Sequence, residues 1–170
     1  MGQLINSLDE AFKSLDRRSR ELISSIPEEL LYKQPRSSPG AVPLRSCGEL
    51  ILRSAAAVEQ TFGGITANLW DDPFEWTLPE TLSTPGKVGE YLEEVEITRQ
   101  RAFELFRGDE DLCKEIVAPS GSIQLISLLI DTLMGAKHQQ EAALEIFKRV
   151  TTDPQEKNLK PETLNSKPET

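Results

Sequence analysis

The sequence predicts an all-α fold, a four-helix bundle of up-down-down-up type with long connections after its first and second helices. Three observations predict it. Apolar residues recur every three or four positions in four long segments. No stretch alternates apolar and polar residues over a useful strand length, and proline-rich segments separate the helical ones. With 170 residues, one domain over residues 1–150 is expected, followed by a flexible polar tail over residues 151–170.

The first two long helices have clear sequence boundaries. The first is predicted near residues 4–26, because Pro27 cannot continue it. The second is predicted near residues 46–69, since Ser46 and Glu49 form a capping box. Residues 27–45 and 70–83 are the long connections. The second of these contains both tryptophans, so we expect it to fold back over one end of the bundle.

The third helix is predicted near residues 84–107, beginning at Thr84 as the cap with Pro85 in the first turn. The fourth is predicted near residues 120–150. Its apolar residues spread almost around the helix axis, which is typical of a central, buried helix. The apolar surface exceeds what one core needs, so a homodimer is expected.

Composition excludes several classes of function. The net charge of −9, with no basic cluster to reverse it, argues against nucleic-acid binding. No apolar run has the length of a membrane span and no secretory signal is visible, so a cytoplasmic protein is expected. Cys47 and Cys113 form no Cys-x-x-Cys motif and are predicted to be reduced thiols, with Cys47 buried on its helix.

His138 is the only histidine of the chain and therefore the only imidazole available for chemistry. Glu141 follows it by three residues, a spacing at which helical bundles place metal ligands. The surrounding residues 137–141 are polar enough to be a plain surface turn instead. Both interpretations stay open on these residues, and no catalytic residue can be named.

Three local patterns resemble the DinB-like superfamily, whose members include metal-dependent hydrolases and thiol transferases. They are the proline-led residues 26–30, the helix opening at residues 46–52, and residues 133–140. The resemblance extends over residues 4–150 and implies three histidine ligands for zinc or nickel. His138 matches the last of these ligands, whereas Met134 and Arg53 stand at the other two positions.

This departure from the family pattern implies a degenerate metal site. Arg53 would place a permanent cation beside a divalent ion, and Met134 is a poor ligand for zinc or nickel. We therefore expect no metal cofactor. Arg53 and His138 are predicted to converge on the inner side of the bundle, in a pocket with Met134, Glu49 and Glu141. Arg53 would pair with Glu49, Glu94 or Glu96, or it would hold a carboxylate or phosphate ligand.

Two functions follow from these considerations. The first is a metal-free binding or interaction module that takes a small-molecule or anionic ligand. The alternative is a metal-dependent transferase or hydrolase, similar to a thiol S-transferase, that uses His138 and acidic ligands to bind zinc or nickel.

Overall fold

A computed structural model describes residues 2–36, 40, 42–73 and 77–152. The fold is mostly helical, so the all-α prediction is confirmed. Its elements are α1 Gln3–Ser25, α2 Glu28–Leu31, α3 Cys47–Ala67, α4 Pro85–Glu104, a 3₁₀ helix at Asp109–Cys113, β1 Glu115–Ala118, β2 Gly121–Gln124 and α5 Leu125–Thr152. No helix within these described ranges is long and apolar enough to cross a membrane.

A two-stranded hairpin precedes the last helix, where the sequence predicted no strand. β1 and β2 pair antiparallel, with Ile116 opposite Ile123. Gly121 has a φ of 117°, which favours glycine, and it follows Pro119 and Ser120 in the turn between the strands. The prediction that the fourth long helix begins near residue 120 is therefore wrong, because this turn directs residues 121–124 back along β1.

The predicted starts of the second and third long helices are confirmed by their hydrogen bonds. The Ser46 hydroxyl accepts from the Glu49 backbone N–H, and the Glu49 carboxylate accepts from the Ser46 backbone N–H at 2.8 Å. The Thr84 hydroxyl accepts from the Lys87 backbone N–H at the start of α4. Local capping chemistry thus sets where α3 and α4 begin.

The most buried helix is α3, not the fourth long helix as predicted. Twelve of its 21 residues are buried, against eight of 28 in α5. α3 packs against both α4 and α5, whereas much of α5 faces solvent. Phe62 of α3 contacts Phe12 of α1 and Phe103 of α4, with ring centroids 5.0 and 5.6 Å apart.

The connection after α3 begins by folding back on that helix. The Trp70 ring lies so close to Gly64 that a Cβ there would come within 2.5 Å of it. The Gln60 side chain also donates to the Trp70 carbonyl at 2.8 Å. Trp76 and the predicted tail beyond Thr152 lie outside the described residues.

Candidate functional site

The inner face of α5 includes Thr132, Ala136 and Gln140, which are buried together with apolar residues such as Leu129 and Ile146. The Ser54 hydroxyl of α3 donates to the Ala136 carbonyl at 2.8 Å. The Gln140 side chain donates to the Leu15 carbonyl and to the Ser19 hydroxyl, both at 2.7 Å. Small and uncharged polar side chains therefore occupy the contact between α1, α3 and α5.

His138 is exposed, and the prediction that it points to the inner side of the fold is wrong. Met134, four residues earlier on the same face, is 66% exposed. The physical reason is the rotation of the helix. His138 follows the inward residue Ala136 by two positions, which is about 200° around the helix axis.

His138 instead lines an open groove of about 580 Å³ between residues 42–45 and the C-terminal half of α5. The buried side chains of Leu50 and Ile146 form part of its wall. The exposed side chains of Arg45 and Arg149 also line it. The groove thus combines apolar surface with two guanidinium groups and one imidazole.

Arg53 lies three residues after Leu50 on α3 and is half-buried. Residues three apart on a helix are neighbours on its surface, so Arg53 lies one turn beyond the groove wall. Two of the acids considered as its partners have other roles. Glu49 caps α3 through Ser46, and Glu96 accepts from Arg99.

The other predicted site residues do not join His138 in the groove. Met134, Glu49 and Glu141 lie outside its described lining. Glu141 instead lies 3.7 Å from Arg18 of α1, in a separate depression. Among residues 2–36, 40, 42–73 and 77–152, no three His, Cys, Asp or Glu side chains converge in a way that could hold a metal ion.

Sequence reasoning missed a buried ion cluster centred on Arg99 of α4, which is 1% exposed. Its Nε and Nη2 donate to the Glu96 carboxylate at 2.7 and 2.8 Å, and Nη1 donates to Asp9 of α1. The guanidinium also lies over the Phe103 ring, 5.0 Å from its centroid. The spacing of Glu96 and Arg99 was a visible signal, but such a pair is also typical of a solvated helix surface.

Charge and burial have opposite effects on the carboxyl pKa values of this cluster. Burial raises the pKa of Asp9, but hydrogen bonds from Lys13 and Arg99 outweigh it and leave the pKa below its ordinary value. The pKa of Glu96 is lowered in the same way, with Arg99 and Gln100 outweighing burial. For Asp16 nearby, burial dominates over the hydrogen bond from Arg20, so its pKa is raised.

A small cavity of about 20 Å³ lies beside this cluster, between α1, α3 and α4. Its polar lining includes the side chains of Asp16, Ser19, Ser54 and Glu96. A cavity of this volume has room for one water molecule. It is too small for an organic ligand, so the groove at His138 is the better candidate for a binding site.

No family model, curated protein or solved structure matches the chain.

Proposed function

We propose that the protein is a metal-free binding module, a four-helix bundle of up-down-down-up type related to the DinB-like superfamily, whose groove holds a small anionic ligand. One observation carries the proposal. Arg45, His138 and Arg149 line the same groove, in a chain whose net charge is −9. Two guanidinium groups beside an imidazole on an acidic protein favour an anion at that place.

The charges within the groove support this assignment. Glu145 also lines the groove, but its carboxylate accepts from Lys148 at 2.8 Å, which partly compensates its charge. A guanidinium stays protonated at any physiological pH and presents paired donors that match a carboxylate or a phosphate. Arg45 and Arg149 therefore supply the charge and the geometry that an anion requires.

The shape of the groove suits a small molecule. Its volume of about 580 Å³ lies within the range of ligand pockets in proteins, roughly 300–1,000 Å³. Apolar side chains with a few polar groups are the usual lining of such sites.

A titration with anions tests this proposal. Backbone amide NMR spectra would be recorded while acetate or inorganic phosphate is added at constant ionic strength. We expect saturable shifts confined to residues 42–45 and 138–149. The double variant Arg45→Ala, Arg149→Ala should weaken binding about tenfold or more, because charged hydrogen bonds contribute about 1.5–3 kcal/mol.

Arg17→Ala is the matched control, since Arg17 is an exposed arginine of α1 outside the groove. It should bind anions as the wild type does. Shifts spread over the whole surface, or equal affinities in the double variant and the wild type, would refute the proposal.

The metal-free part of the proposal has its own test. Elemental analysis of the purified protein should find zinc and nickel well below one atom per chain. A stoichiometric metal that disappears in His138→Ala would instead support the metal-dependent transferase or hydrolase.

A further inference from the structure

Exposed apolar side chains lie in the same groove as the cationic ones. Val42 is 84% exposed and Leu44 is 39% exposed, and both line the groove with Leu50 and Ile146. Val42 has the largest exposed fraction among the exposed large apolar residues of the described chain. Binding of an inorganic anion alone does not explain why these apolar side chains are exposed in the groove.

An inorganic anion would satisfy the guanidinium groups and leave Val42 and Leu44 in water. A ligand with an apolar part would remove this surface from water, which is favourable in proportion to the area that is covered. Because the apolar and cationic side chains line one continuous groove, a single ligand can contact both.

The charge balance of the groove favours a singly charged head group. Glu145 lies among the lining residues and would repel the second charge of a dianion, even with Lys148 beside it. A carboxylate is a planar monoanion that accepts two parallel hydrogen bonds from one guanidinium. A carboxylate therefore fits this lining better than a phosphate dianion.

We propose that the ligand class is a monocarboxylate with an apolar tail. Its carboxylate contacts Arg45, Arg149 and His138, and its tail covers Val42 and Leu44. This inference rests on the proposed anion-binding function and adds the chemistry of the rest of the ligand.

A chain-length series tests the inference. Acetate, butanoate, hexanoate and octanoate would be titrated into the full-length protein, followed by amide NMR and, for the tighter ligands, by calorimetry. The affinity should rise with each added methylene until the groove is filled. The rise should be about fourfold for a methylene that becomes fully buried and smaller for one that stays partly exposed. Octanol, which has the tail without the charge, should bind much more weakly than octanoate.

Val42→Thr is the informative variant, because threonine keeps the shape of valine and replaces a methyl group with a hydroxyl. It should weaken octanoate binding several-fold, by a clearly larger factor than it weakens acetate binding. Val117→Thr is the matched control, since Val117 is a 74% exposed valine on the hairpin, outside the groove. It should bind octanoate as the wild type does.

The outcomes separate this inference from the proposed function. If acetate binds through Arg45 and Arg149 and the affinity does not rise with chain length, the proposed apolar tail of the ligand is refuted. The proposed anion-binding function is then retained. If inorganic phosphate binds through Arg45 and Arg149 and no carboxylate binds, this inference fails and the proposed function is retained; if neither binds, both fail. Equal binding of octanol and octanoate would overturn the role of the carboxylate. If Val42→Thr converts a dimer into a monomer and leaves octanoate binding unchanged, a second copy of the chain covers this surface and the inference is wrong.

Discussion

The Ser54 hydroxyl of α3 donates a hydrogen bond to the Ala136 carbonyl of α5, 82 positions away in the sequence. Both residues are buried, so this bond lies where the two helices meet. Ser54 directly follows Arg53, and Ala136 precedes His138 by two positions. The helix faces that carry Arg53 and His138 are consequently turned away from the centre of this contact.

Removing the Ser54 hydroxyl should destabilise the protein modestly. Ser54→Ala is expected to lower the free energy of unfolding by about 0.5–1.5 kcal/mol, the usual net contribution of one hydrogen bond. Urea denaturation followed by circular dichroism measures this change. Ser127→Ala, at an exposed position of α5, should change it by less than about 0.5 kcal/mol. Equal effects of the two variants would argue against the contact.

The parts of the fold that depend on neighbouring residues were predictable. Ser46 with Glu49 and Thr84 with Pro85 set helix starts through contacts within four residues. The hairpin was missed because Ile116 and Ile123 look like helical apolar residues until the turn at Gly121 pairs them. Short strands of four residues carry little periodicity of their own.

The rotation of α5 could not be predicted from its sequence. Leu129 and Ile146 are buried, but so are Thr132 and Gln140, while Ile130 and Met134 are exposed, so hydrophobicity alone does not mark the inner face of this helix. Its buried polar residues and the Ala136 carbonyl make hydrogen bonds with Ser54, Thr61 and Ser19 of other helices. Such long-range pairs are not visible in one sequence, and this is why His138 was placed inside.

Arg99 should be essential for stability. Methionine replaces the aliphatic part of the arginine side chain and removes the charge, so Arg99→Met leaves the largely buried Glu96 carboxylate without its main partner and Asp9 with Lys13 alone. We expect a loss of about 3 kcal/mol or more at pH 7, the usual result of removing one partner of a buried ion pair. Arg101→Met, at an exposed position of α4, is the control and should be nearly neutral.

The effect of Arg99 should depend on pH. Because the folded-state pKa values of Asp9 and Glu96 are lowered, their stabilisation is complete above their ordinary values of 3.8 and 4.5 and is lost as the pH falls below them. The difference in stability between the wild type and Arg99→Met should therefore shrink in acid. The raised pKa of Glu59 has the opposite pH dependence and no contribution from Arg99, so it cancels in this difference. Arg99 lowers the pKa of Asp16, so the loss of Arg99 should raise that pKa further and add to the same trend. Urea titrations at pH 7, 5 and 3 measure it, and a constant difference would contradict the ion cluster.

The two thiols should differ in reactivity. Cys47 is fully buried, and burial raises its pKa to about 12, whereas Cys113 is exposed. A thiol reagent such as Ellman's reagent should modify one cysteine of the native protein rapidly and the second only on unfolding. Cys113→Ser should lose the rapid phase. Rapid modification of both thiols in the native protein would contradict the packing of α3.

The outward face of α5 should mediate a homodimer. Ile130 and Met134 are exposed one turn apart, and a Cβ at the adjacent Gly135 would meet no other atom. Light scattering should give twice the chain mass at micromolar concentration, and Met134→Lys should shift the protein to a monomer. A monomer mass for the wild type at that concentration would exclude this role of the face.

The most direct test of the anion-binding groove uses the single imidazole of the protein. Because His138 is the only histidine, its ring proton resonance reports on this groove without overlap from other histidines. Titration with octanoate at constant pH and ionic strength should shift this resonance saturably in the wild type and in Arg17→Ala. In the double variant Arg45→Ala, Arg149→Ala, the same shift should require about tenfold more octanoate or higher. A resonance that does not move at millimolar octanoate, or one that moves equally in the double variant, would contradict the central claim.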